Sequence, residues 1–436
     1  TPPTIATISP GSAAEKHGLK AGDTIKEIDG KPIASQAQLQ QALGPKYEGD
    51  AIALKVERDK KEIKLDKVVL EGAVAAYAQP FLGILPIRDD PEPGVEVRYV
   101  YAGSPADKAG VKAGDRIMKI GREVAPGRKI MQAIAGRDQF LTMMEGTIPG
   151  LELSFEVKRA DGKKTETLKI KLDAMPETVP AKAQLPEKSS AKQALVKPKG
   201  ADAKKPAAKK EEKKEDKKDE KKPETGLLKR ATAAADHTYW IYVPENYDKN
   251  VAHAVLVWLH PAGKNKEKDF DKFSQSWQFP CEDFHIILVC PVAEAERGWT
   301  QSEGEFVQEA VKAVGEAYTI DKKRIVAHGM ERGGEMAFWI GFHSRGLFRG
   351  VTTTGAALTS NPREKVANQP LDFFVVVGDK DPLRDAVKET KTKLTEHKYS
   401  VIFREIKDMG RQYIDGRLGI DTLDEIARWV DSLDRL

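Results

Sequence analysis

Two cysteines and eight histidines are the side chains best suited here to nucleophilic or base chemistry, because a thiolate attacks and an imidazole accepts a proton near neutral pH. Cys281 and Cys290 flank a predicted strand over His285–Val292. Extended chain between them holds them farther apart than the ~4.4–6.8 Å a disulfide spans, so both are expected as buried thiols. The histidines are scattered. His17 lies in an N-terminal repeat, His237 and His253 precede predicted strands, His285 begins one, His328 lies within another, His343 follows a helix and His397 ends one. His260, in Leu259-His260-Pro261-Ala262-Gly263, falls at the carboxyl edge of the predicted sheet and is expected to organise that loop. The remaining candidates are charged. Gly329-Met330-Glu331-Arg332-Gly333-Gly334 joins a predicted strand to a predicted helix; its glycines permit a tight turn around Glu331. Asp381 follows another strand in Val376-Val377-Gly378-Asp379-Lys380-Asp381, and Arg411 sits in Ile406-Lys407-Asp408-Met409-Gly410-Arg411-Gln412 after the last one.

These residues are carried by short apolar strands alternating with amphipathic helices from residue 227 onward. Strands are predicted at 238–243, 254–259, 285–292, 324–329, 350–354, 372–378 and 401–405, and helices at 270–277, 305–318, 334–343, 383–397 and 423–433. Such alternation implies a parallel sheet covered on both faces. Ahead of it, residues 177–226 hold 15 lysines against ten acidic residues and no aromatic. A segment of that kind cannot bury a core, so a disordered tether is expected over 176–226, kept soluble by its interleaved charges. The 436-residue chain has a net charge of +4. Outside the tether it is close to neutral, and no basic face for nucleic acid is expected. No run of about 18 apolar residues exists, so no membrane-spanning helix is expected either.

The N-terminal third contains a repeat. GSAAEKHGLKAGDTIKEI from Gly11 and GSPADKAGVKAGDRIMKI from Gly103 are identical at eleven of eighteen positions. Each serine is placed to cap a short helix, and the glycines suit turns that need positive φ. Each copy leads into a predicted helix (36–43 and 139–145) and then a hairpin (51–58 with 62–69, and 151–158 with 165–172). The pattern resembles PDZ domains of the bacterial kind found in Deg-type periplasmic serine proteases, over residues 1–72 and 78–175. That resemblance implies binding of an extended peptide, usually a C-terminus, as an added strand. It matches the carboxylate-binding loop to Phe81-Leu82-Gly83-Ile84, with the N–H groups of Leu82, Gly83 and Ile84 as donors and Leu141 and Met144 lining the side-chain pocket. The first copy begins at Thr4-Ile5-Ala6 with no such loop before it, which leaves it as scaffold or as a domain cut short.

Residues 227–436 resemble α/β-hydrolases of the esterase and depolymerase type. The matching segments are Tyr239-Trp240-Ile241-Tyr242-Val243-Pro244, the His260 loop and Ile320-Asp321-Lys322-Lys323-Arg324-Ile325. The family's chemistry uses a serine on a Gly-x-Ser-x-Gly elbow, a histidine and an acid. Carried over, the elbow glycines are Gly329, Gly333 and Gly334, and the triad positions hold Glu331, Asp381 and Arg411. An ion pair between Glu331 and Arg411 is expected, with Asp381 as a second carboxylate on Arg411 and Arg332 as a rival partner. The fold expected is therefore multidomain: two PDZ-like α+β modules of β-barrel kind, a charged linker, and a three-layer α/β-hydrolase-like domain with a mostly parallel sheet. The leading functional expectation is a non-catalytic, extracytoplasmic adaptor for extended or C-terminal peptide segments, with a pseudo-hydrolase domain and no cofactor or metal. The alternatives are a serine-independent hydrolase targeted by its PDZ modules, or the downstream part of a PDZ-containing serine protease.

Overall fold

The computed structural model describes residues 2–5, 8, 12–20, 22–71, 78–125, 128–176, 223–234, 236–365 and 369–436. Most of the expected tether, and Ala6, lie outside the described residues. The first module runs α1 (Ala13–Lys16), β1 (Thr24–Ile28), β2 (Lys31–Pro32), α2 (Gln36–Leu43), β3 (Ala51–Arg58) and β4 (Lys61–Val69), with sheet order β2-β1-β3-β4. Its opening segment contributes a single bridge, Thr4 to Thr24, among the described residues.

The second module runs β5 (Pro80–Phe81), β6 (Ile84–Pro86), β7 (Val95–Val100), α3 (Pro105–Lys108), β8 (Arg116–Ala125), β9 (Arg128–Ala133), α4 (Arg137–Glu145), β10 (Glu152–Lys158), β11 (Thr165–Lys171) and β12 (Asp173–Ala174). Its main sheet is ordered β11-β10-β8-β7-β6, so β6 is an edge. The repeated serines cap as expected. Ser12 Oγ accepts the Glu15 amide at 3.3 Å and Ser104 Oγ that of Asp107 at 3.2 Å.

The C-terminal domain runs β13 (Gly226–Ala231), β14 (Thr238–Val243), β15 (His253–Leu259), α5 (Glu267–Phe284), β16 (Ile286–Pro291), α6 (Gly304–Ala317), β17 (Ile320–Met330), α7 (Arg332–His343), β18 (Gly350–Thr354), β19 (Asp372–Gly378), α8 (Arg384–Glu396), β20 (Val401–Ile406) and α9 (Ile420–Asp431). Its eight strands are ordered β13-β14-β16-β15-β17-β18-β19-β20. β14 is antiparallel to both neighbours, and the six strands from β16 to β20 run parallel. The strands alternate between two cores. Val255 and Val257 face α6, α7 and α8 through Val311, Ile340 and Val387, whereas Leu256 and Trp258 face α5 and α9 through Trp277 and Trp429. This is the three-layer arrangement that alternating strands and helices demand.

Three sequence expectations need correction. β13 was not among the predicted strands; its Lys229 and Arg230 made it look solvated, yet it pairs with β14 along its whole length. Cys281 lies in helix, not on extended chain, because α5 continues through Pro280 to bury Cys281 and Phe284. Both cysteines are nevertheless unbridged and buried. β17 begins four residues earlier than predicted, at Ile320.

Candidate functional site

The edge of β6 receives the last residue of the sequence. Leu436 donates its amide to the Ile84 carbonyl at 3.0 Å, and Ile84 donates back to the Leu436 main-chain oxygen at 3.1 Å. Such a reciprocal pair is the hydrogen-bonded register of an antiparallel ladder. Gly83 adds a third bond to the same oxygen at 2.6 Å. The ladder goes no further because the next inward-facing donor position is Pro86, which has no N–H. Gly83 adopts φ +91°, and a Cβ there would fall 2.0 Å from Ser104 Cβ. A side chain at that position would therefore lift the loop off the tail.

The Leu436 side chain is buried in the cluster that holds Leu82, Ile84, Leu141 and Met144. Burying one leucine stabilises by about 1.5–3 kcal/mol. Two of the six residues expected at this groove do something else. The Leu82 amide is not among the donors to Leu436; its carbonyl accepts the Ala106 amide at 2.9 Å and its side chain fills the core. Phe81 packs outside the groove with Leu85, Tyr101 and Met175.

Around the tail lies a buried ionic cluster. Arg88, whose side chain is 0% exposed, donates to the Asp431 carboxylate and carbonyl and to both Asp434 oxygens at 3.3 Å. Arg98 reaches Asp431 at 2.7 Å. Arg137 grips Asp321 through two bonds of 2.9 and 3.0 Å and reaches Asp434 at 3.2 Å. The three arginines belong to the second module and the three aspartates to the C-terminal domain. Burial pushes the Asp431 carboxyl up, but Arg88, Arg98 and Arg324 outweigh it and hold it at about 2. Sequence reasoning missed this cluster entirely. Arg88 and Asp431 lie 343 residues apart, so no local pattern signals their pairing.

The second candidate locus is the turn between β17 and α7. Glu331 sits there at φ +52°, a region that non-glycine residues seldom occupy and that concentrates at functional turns. The tight turn depends on Gly333, where a Cβ would stand 1.8 Å from the Leu259 carbonyl oxygen; Gly329 and Gly334 pack in the same crowded corner. Arg411 Nε donates to Glu331 Oε1 at 2.8 Å, both side chains remaining partly exposed. Asp381 does not join them. It is buried and accepts the Leu383 amide at 2.8 Å, and among the described residues it forms no ion pair with Arg411. Arg332 pairs with Glu335 at 3.1 Å.

Glu331 and Arg411 rim a cavity of about 430 Å³ walled by Trp258, Phe273, Met330 and Tyr413. The nearby imidazoles are committed elsewhere. His260 accepts the Ala293 amide at 3.1 Å and approaches the Pro261 carbonyl at 2.9 Å. His328 Nε2 lies 2.6 Å from the Tyr413 hydroxyl, which also receives the Trp277 indole N–H at 2.9 Å. Burial pushes His328 down to about 3, so it is neutral near pH 7. Among the described residues no group of histidine, cysteine and acidic side chains could hold a metal ion.

Family models for the PDZ domain match residues 2–68 and 96–134. The periplasmic pH-dependent serine endoprotease DegQ of Escherichia coli K12 is 31% identical over 141 residues, which is 30% of this chain and 31% of that protein. The periplasmic serine endoprotease DegP of the same strain is 28% identical over 138 residues, covering 30% of this chain and 29% of its own. The chain thus spans less than a third of the length of these relatives. Solved structures similar to it include an esterase of Pyrobaculum calidifontis, at 13% identity and TM-score 0.39, covering 47% of this chain and 84% of that one. A ferulic acid esterase gives 16% identity and TM-score 0.39, covering 48% and 98%. The two repeated modules at the N-terminal end of this chain are PDZ domains.

Proposed function

We propose that this chain is a non-catalytic adaptor that holds extended peptide segments along β6 and carries its hydrolase-like domain as a docking body. The reading is carried by the Ile84–Leu436 pair, with Gly83 as second donor to the Leu436 oxygen. Main-chain bonds of this kind give affinity without regard to most side chains, and the apolar pocket reads the last one. The partners are peptide tails of proteins, not nucleic acid. The word "periplasmic" in the names of both relatives supports an extracytoplasmic place.

What supports the absence of acyl transfer is the chemistry at the three triad positions. Glu331 as a carboxylate has no proton for a base to remove. Arg411 is a guanidinium that cannot accept one near neutral pH. Nucleophile and base are both missing, and the acid alone orients nothing. Short-chain p-nitrophenyl esters are therefore expected to turn over at the buffer rate, with Glu331→Gln giving the same trace. Turnover that Glu331→Gln abolishes would overturn the reading in favour of a carboxylate nucleophile.

A second reading assigns the PDZ pair to a serine protease whose catalytic domain lies upstream of Thr1. It rests on the endoprotease relatives alone, and the coding sequence before Thr1 decides it.

A further inference from the structure

We infer that the second PDZ domain selects partner tails that end in an apolar residue with a carboxylate two positions before it, and that Asp434-Arg435-Leu436 is a resident copy of that ligand which a partner must displace. The inference rests on the peptide-binding reading above and adds the partner's chemistry to it.

The resident tail displays what each position meets. Leu436 packs beside Leu141 and Met144. Arg435 turns away from the PDZ domain and donates to Asp372 of the C-terminal domain at 2.7 Å, so the groove does not read the penultimate side chain. Asp434 turns back onto the PDZ domain, between Arg88 at 3.3 Å and Arg137 at 3.2 Å. Both guanidiniums are largely withdrawn from water, with side chains 0% and 15% exposed. Arg98 beside them, 11% exposed, extends the same positive wall. A carboxylate at the third-from-last position is thus demanded by charge. A lysine there would face two desolvated cations at close range, where like charges repel most strongly. A neutral residue would leave those cations undercompensated.

The tail belongs to the same chain, so it competes as an intramolecular ligand. A partner tail of equal intrinsic affinity therefore binds weakly until the resident one leaves. Displacement also takes Asp431 from Arg88 and Arg98, which favours incoming tails that are acidic.

The test uses fluorescence polarisation on the full chain with two labelled peptides bearing free C-terminal carboxylates, Asp-Ser-Leu-Asp-Arg-Leu and Asp-Ser-Leu-Lys-Arg-Leu. Leu436→Glu should bind the first peptide at least tenfold more tightly than the unaltered chain. It should bind the second at least tenfold more weakly than the first. Adding Arg137→Glu should shrink or reverse that preference. Leu436→Gly supplies a second way of emptying the groove, and unchanged tryptophan fluorescence confirms that the C-terminal domain is intact. Equal binding of the two peptides by Leu436→Glu overturns the selectivity. Equal affinity of the altered and unaltered chains overturns the resident tail. If neither peptide binds any form of the chain at millimolar concentration, the peptide-binding reading fails with it.

Discussion

Asp431→Ala releases the second PDZ domain from the C-terminal domain. Asp431 is 1% exposed and answers Arg88 and Arg98 from the PDZ side, with Arg324 of its own domain 3.6 Å away. Removing the carboxylate leaves four guanidiniums, of Arg88, Arg98, Arg137 and Arg324, facing two remaining aspartates, Asp321 and Asp434. Breaking a buried pair by deleting one partner costs about 3–5 kcal/mol, because the survivors stay desolvated. The strain is relieved when the domains part and the arginines regain water. Small-angle scattering should therefore report a larger radius of gyration. All six tryptophans lie between Trp240 and Trp429, so an unchanged fluorescence melt shows that the C-terminal domain itself survives. An unaltered scattering profile would mean that the cluster is not what joins the domains. Acid acts through the same group. The Asp431 carboxyl is held at about 2 against an ordinary 3.8, so its contribution is complete above about pH 3.8 and fades as pH falls through 2.

Gly83→Val removes peptide binding without touching any ligand-contacting side chain. Positive φ at a β-branched residue is strained by about 1–3 kcal/mol, and the Cβ would overlap Ser104, whose Cβ is only 2.0 Å from where it must go. The loop must move, and the Gly83 and Ile84 amides move with it. The expected result is at least a hundredfold loss of affinity for the Asp-Ser-Leu-Asp-Arg-Leu peptide when the change is combined with Leu436→Glu. Retained affinity would place the peptide somewhere other than β6.

The legible part of the fold was whatever repeats or alternates locally. The duplicated Gly-Ser-x-Ala and Lys-Ala-Gly-Asp segments declared two modules, and the buried runs of β14, β18 and β19 stood out at their observed bounds. β13 was lost because a short edge strand carrying Lys229 and Arg230 offers no long apolar run. The end of α5 was misplaced because Pro280 reads as a stop, while tertiary packing of Cys281 and Phe284 carries the helix past it.

The site divides in the same way. Gly83, Ile84, Leu141 and Met144 lie within one module, where the resemblance could point to them, whereas Phe81 and the Leu82 amide face elsewhere. Glu331 and Arg411 stand in segments with recognisable neighbours, and the structure brings them together at 2.8 Å. The place of Leu436 on β6 and the ionic cluster beside it could not be read. They depend on partners such as Arg88 and Asp431, 343 residues apart, and on the burial that gives those charges their force.

Amide hydrogen exchange at Gly83 and Ile84 tests most directly whether the β6 edge is a peptide site held by the tail. Both amides should exchange at least a hundredfold more slowly in the unaltered chain than in Leu436→Glu, and adding the Asp-Ser-Leu-Asp-Arg-Leu peptide to that variant should restore the protection. Equal, fast exchange in both chains, unmoved by the peptide, would contradict the account.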